Sequence, residues 1–126
     1  MQDELRNKTR HVFVGYDSRE HIPFKVCAHS ITRRSSTPVE ITPIYHKTLR
    51  HAGMFYRAWQ IDEDGQYYDD VDNRPFSTEF SHTRFLVPEI ARRNNLTGWV
   101  LFCDSDFLFL SDVCEVFKYC DDDYAV

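Results

Sequence analysis

The sequence predicts an α/β fold built on a mostly parallel sheet, and three observations carry that reading. Apolar, β-branched runs stand at residues 11–16 (HVFVGY), 39–45 (VEITPIY) and 99–103 (WVLFC), each consistent with a strand. Helical spacing of apolar residues lies between the first and second runs, and again before the third. The interval between the first two runs has the length of a right-handed βαβ crossover.

The elements follow in order. Residues 1–10 (MQDELRNKTR) form a polar leader, so the domain proper is expected over residues 11–126. The first strand closes on Gly15, and residues 17–20 (DSRE) carry turn and helix-capping chemistry. Pro23 suits the first turn of a helix. Ile22, Val26, Cys27 and Ile31 then make an apolar stripe on a helix ending near Arg33 and Arg34. Residues 35–38 (SSTP) break it, and the second strand follows with Pro43 near its end. Residues 46–76 read as an irregular excursion, basic and aromatic at first and acidic from Asp62 to Asp72. From Ser77 a helix is expected, with Phe80, Arg84, Val87 and Ala91 on one face and a kink at Pro88. Gly98 marks a turn into the third strand. Ser111 is the expected cap of a short helix carrying Val113, Cys114 and Phe117.

Composition narrows the function. The 126 residues suffice for one core, and 42% of them are hydrophobic. A net charge of −5 argues against a general nucleic-acid binder, which needs a basic face to displace counterions. No run approaches the roughly 20 apolar residues of a membrane span, and the charged start is no secretory signal. Four cysteines without a C-x-x-C pair do not make a disulfide scaffold, so a cytoplasmic location is expected. The last residues, Asp123, Tyr124, Ala125 and Val126, read as the opening of a strand, so the domain is expected to be incomplete at its C-terminus.

Chemistry is expected beyond the C-terminal ends of the strands, where open α/β sheets hold their ligands. Asp17 follows the first strand; Asp104 and Asp106 follow the third and stand between two apolar runs, in GWVLFCDSDFLFLSD. Burying charge there is costly without a partner. Two hard carboxylates separated by one residue suit Mn²⁺ or Mg²⁺, ions that bridge to phosphates. The plain alternative is a strand-end turn whose aspartates cap the next helix. Arg84 offers a guanidinium for a diphosphate or sugar hydroxyls; its plain alternative is an ion pair with Asp104 or Glu79. Tyr16 could stack on a nucleobase or simply close the strand. The six histidines show no ligand spacing, and no phosphate-binding glycine loop exists.

Three segments together, VFVGYDS, FSTEFSHTRFLVPEIA and GWVLFCDSDFLFLSDV, resemble the N-terminal half of GT-A glycosyltransferases, nearest to the family 8 type. That resemblance runs over roughly residues 11–126 and implies a Rossmann-like GT-A fold. It implies a nucleotide-sugar donor, UDP-linked by family habit, with an unknown acceptor and Mn²⁺ (or Mg²⁺) as cofactor. By the same resemblance Tyr16, Asp17, Arg84, Asp104 and Ser105 contact the donor, and Asp104 and Asp106 bind the metal. The family's third metal ligand, a histidine well after the D-x-D, has no counterpart before Val126.

Two rival readings follow from the same residues. A haloacid-dehalogenase-type phosphatase also places D-x-D after a strand, but there the position four residues after the first Asp is Thr or Val, and here it is Leu108. A domain that binds nucleotide sugar without turning it over is the other.

Overall fold

The computed structural model describes residues 8–126, so most of the expected leader lies outside the described residues. A parallel sheet of three strands forms the centre: β1 (Arg10–Gly15), β2 (Val39–Ile44) and β6 (Leu101–Cys103), in the order β2-β1-β6. Arg10 already pairs with Val39, which moves the expected domain start one residue earlier. Val12 pairs with Ile41 on one side and Leu101 on the other, and Val12 and Val14 enter one core while Phe13 enters the other, so the middle strand is buried on both faces. That is why it reads as an unbroken apolar run rather than an alternating one.

One face of the sheet is covered by α1 (His21–Arg34) and by a 3-10 helix at Val113–Tyr119. Val12, Val14, Cys27, Ile31, Cys103 and Val113 form its core. The expected stripe on α1 is corrected here. Cys27 and Ile31 are packed as expected, but Ile22 is 67% and Val26 50% exposed, and Phe24 completes the packed face in their place. Ser30, also buried, donates to the Cys27 carbonyl and accepts from the Phe109 amide at 3.0 Å, tying α1 to the segment after β6. The other face is covered by α2 (His46–His51) and α3 (Val87–Arg93), around Phe13, Ile44, Leu49, Phe55, Val87 and Ile90.

Residues 46–76 are not irregular. Besides α2 they hold a small antiparallel sheet of β3 (Trp59–Ile61), β4 (Tyr67–Asp69) and β5 (Arg74–Phe76). Its acidic residues are turn chemistry. Asp62 accepts from the amides of Asp64 and Gln66, and Asp69 from those of Val71 and Asp72. Trp59, Tyr67 and Phe76 pack against one another on its inner face.

The remaining expectations shift at the ends of elements. Residues 77–82 are bends and turns, Thr83–Leu86 is a 3-10 turn, and only then does α3 begin. Pro88 sits in the first turn of α3 rather than kinking a longer helix, because its missing N–H is no loss there. Trp99 and Val100 precede the β6 ladder instead of joining it. Asp112, not Ser111, caps the 3-10 helix by accepting from the Cys114 amide at 2.9 Å, while Val113, Cys114 and Phe117 are buried as expected. All four cysteines are free. No helix among the described residues is long and apolar enough to cross a membrane.

Candidate functional site at the carboxyl edge of the parallel sheet

Three strand ends meet at one edge of the parallel sheet: Tyr16 and Asp17 after β1, Tyr45 and His46 after β2, and residues 104–106 after β6. Gly15 pairs with Ile44 and Val14 with Cys103. Continued past the ladders, that register sets Tyr45, Tyr16 and Ser105 in one row across the edge.

Asp17 is 2% exposed and fully engaged. Its Oδ1 accepts from the Arg19 amide at 2.8 Å and from the Tyr67 hydroxyl at 3.0 Å; its Oδ2 accepts from the Glu79 amide at 3.0 Å. Three donors, including two backbone amides, make a buried carboxylate tolerable without a metal. Glu79 extends the network, accepting from the Ser18 amide and hydroxyl and from Tyr67. Burial and these two carboxylates push the Tyr67 phenol upward, so it stays a donor. His46 Nε2 lies 3.9 Å from Glu79, and its buried Nδ1 has no partner. Burial holds His46 below its ordinary value despite that carboxylate. The imidazole is therefore neutral at pH 7. Gly15 is required beside this network, since an added Cβ would stand 2.5 Å from the Phe80 ring.

Tyr16 is 7% exposed. Its ring stacks on Tyr45 with centroids 4.1 Å apart, meets Phe24 edge-on, and its hydroxyl bonds His21 Nδ1 at 2.9 Å. The adjacent Tyr45 hydroxyl, and burial, push the Tyr16 phenol up to about 12. Tyr45 is the partly open member of the pair.

The acidic pair after β6 contrasts with Asp17. Asp104 is half-buried, Asp106 is exposed, and among the described residues neither carboxylate has a hydrogen bond or ion pair. The helix-capping alternative is not what the geometry shows. Ser105, 1% exposed, donates to Glu20 Oε2 at 3.2 Å and fastens the segment to the start of α1. No group of three or more His, Cys, Asp or Glu side chains is placed to hold a metal among the described residues. Carboxylate oxygens are the donor type that hard cations take, and these two are uncommitted.

Arg84 stands apart. It is exposed, its guanidinium lies 4.9 Å over its neighbour Phe85, and neither expected ion pair forms among the described residues. It rims a groove of 870 Å³ that runs along Leu101 and Phe102 to Phe117. The structure thus gathers Tyr16, Asp17, Ser105, Asp104 and Asp106 at one edge and does not bring Arg84 into contact with them. Sequence reasoning missed Tyr45, Tyr67 and Glu79. For Tyr45 a signal existed, because each of the first two strands is followed directly by a tyrosine or ends one residue before it.

Comparison with known proteins adds one relative. The chain is 46% identical over 115 residues to a protein of Arabidopsis thaliana named Protein CDI, an alignment covering 91% of this chain. The chain spans 38% of that relative's length. No family model matches the sequence, and no solved structure matches the fold.

Proposed function

We propose that this chain is the donor-binding part of a GT-A-type glycosyltransferase, taking a nucleotide sugar, with UDP as the first candidate, at the carboxyl edge of its parallel sheet. The observation that carries the reading is the pair Asp104 and Asp106. They are two uncommitted carboxylates at the end of β6, beside a third aspartate that the protein itself satisfies completely. The edge where they stand is the place where open parallel sheets hold nucleotides.

Each residue has a part in that reading. Asp104 and Asp106 hold a Mn²⁺ or Mg²⁺ ion, and such an ion offsets charge on a departing diphosphate. Ser105, fixed by Glu20, sets the direction of the two aspartates on either side of it. Asp17 shapes the edge: locked by Tyr67 and Glu79, it presents backbone rather than a free carboxylate. Arg84 reaches the diphosphate or the sugar by rotating off Phe85, a motion its exposure allows.

Binding of donor is therefore the readout. Calorimetric titration of UDP in Mn²⁺ should give a metal-dependent isotherm that chelator removes. Asp104→Asn/Asp106→Asn should remove it as well while leaving the melting temperature within a few degrees. Equal binding with and without metal would sink the reading.

A further inference from the structure

Two buried thiols that the proposed donor site does not use lie side by side in the core. Independently of the donor-binding reading, we infer that Cys27 and Cys103 form an oxidisable pair, which hydrogen peroxide converts to an internal disulfide between α1 and the end of β6.

Three observations support this. The two sulfurs stand 4.0 Å apart, in direct contact, although 76 residues separate them in sequence. A disulfide bond is about 2.0 Å long, so each sulfur has about 1 Å to travel, a distance that rotation about χ1 supplies. The other two thiols lie elsewhere: Cys114 faces the Thr37 hydroxyl at 3.1 Å, and Cys120 follows the last 3-10 helix. Finally, Cys27 Sγ lies 4.0 Å from the Asp104 carbonyl oxygen, so the pair sits where β6 gives way to the segment after it.

Burial selects the reagent. Cys27 is fully buried and Cys103 is 6% exposed, which excludes bulky disulfides and leaves an oxidant of nearly water size. β6 provides the way in. It is an outer strand of the described sheet and only three residues long, and such a strand opens at lower free energy than the sheet's centre. Cys103 is therefore the first thiol to meet peroxide.

The Cys103 thiolate attacks one peroxide oxygen, the O–O bond breaks, and Cys103 is left as a sulfenic acid. The Cys27 thiolate then attacks that sulfur, and the S–O bond breaks as the S–S bond forms. Each thiol's proton ends on a departing hydroxide, so two thiols and one peroxide become one disulfide and two waters. The new bond closes a long loop, which narrows the unfolded ensemble and stabilises the fold. It also ties α1 to the residue directly before Asp104. Hydrogen bonds from Ser105 to Glu20 and from the Phe109 amide to Ser30 already tether the segment that follows.

The test treats the folded, unaltered chain with hydrogen peroxide, alkylates the remaining thiols and maps the peptides by mass spectrometry. One crosslinked pair holding Cys27 and Cys103 should appear, lighter by two hydrogens and reversed by dithiothreitol. The oxidised chain should melt about 5 °C or more above the reduced one. Cys27→Ala should stop at a Cys103 sulfenic acid that dimedone captures, and Cys103→Ala should leave Cys27 reduced. Cys120→Ala should behave as the unaltered chain does. The inference is overturned if Cys27 and Cys103 stay reduced in excess peroxide, or if the crosslink runs to Cys114 or Cys120. A Cys27–Cys103 crosslink that lowers the melting temperature overturns it as well, because the native fold would then not accept the bond.

Discussion

Asp17 and Asp69 are both carboxylates buried to within 2% of complete, and each is neutralised by a different device. Asp17 uses hydrogen bonds from two amides and a phenol. Asp69 uses Arg57, whose Nε and Nη2 bond its two oxygens at 2.9 and 2.6 Å. That fork holds the Asp69 carboxyl down to about 2. A group depressed in the folded state contributes fully above its unfolded value and loses that contribution as pH falls through the folded one. His46 and His82, both lowered by burial, act in a higher window: below about 6.5 the unfolded chain takes up protons that the fold refuses. The urea midpoint should thus decline in two stages, first as pH falls below about 6.5, then between about pH 4 and 2. Asp69→Asn should start lower at pH 7 and show a shallower second stage, since Glu89 and Asp112 are also held below their ordinary values. A midpoint flat from pH 7 to 5 would contradict the histidine assignment.

Among the elements, α1 shows how far a sequence can be read. Its existence and ends were legible from Pro23, the apolar spacing and the SSTP break, because these act within the helix itself. Its buried face was legible only in part, at Cys27 and Ile31. Two overlapping stripes occur on it, one through Ile22 and Val26 and one through Phe24, Cys27 and Ile31, and only the sheet beneath chooses between them. Ile31→Ala should destabilise the protein by about 2–5 kcal/mol. Ile22→Ser should stay within about 0.5 kcal/mol. Chemical denaturation of the two variants side by side checks the face directly. The small antiparallel sheet was illegible for another reason. Strands of three residues are shorter than the window in which alternation can be told from chance, and the aspartates that make its turns look, in sequence, like an acidic run.

At the scale of the molecule, the two sheets are joined where Tyr67 of β4 donates to Asp17 and Glu79. Tyr67→Phe keeps the aromatic packing and removes that joint, at a cost of about 1–2 kcal/mol. Amide exchange in residues 67–69 should quicken in the variant while the β1 amides keep the protection of the unaltered chain; equal loss in both would mean that the sheets do not open separately. The candidate site was legible in the same uneven way. Asp104 and Asp106 stood out because they interrupt two apolar runs, a local signal. Tyr45, Tyr67 and Glu79 join the same edge only through strand register and long loops, which no local pattern encodes.

The closure of Asp17 also has a consequence in time. Its partners Tyr67 and Glu79 lie 50 and 62 residues further along the chain. At a synthesis rate of about 5–20 residues per second, the central strand is made roughly 3–12 s before the last of those donors. Until then Asp17 must stay in water, and β1 cannot bury its end without stranding a charge. The first βαβ unit thus completes its buried end only after those later donors have been made.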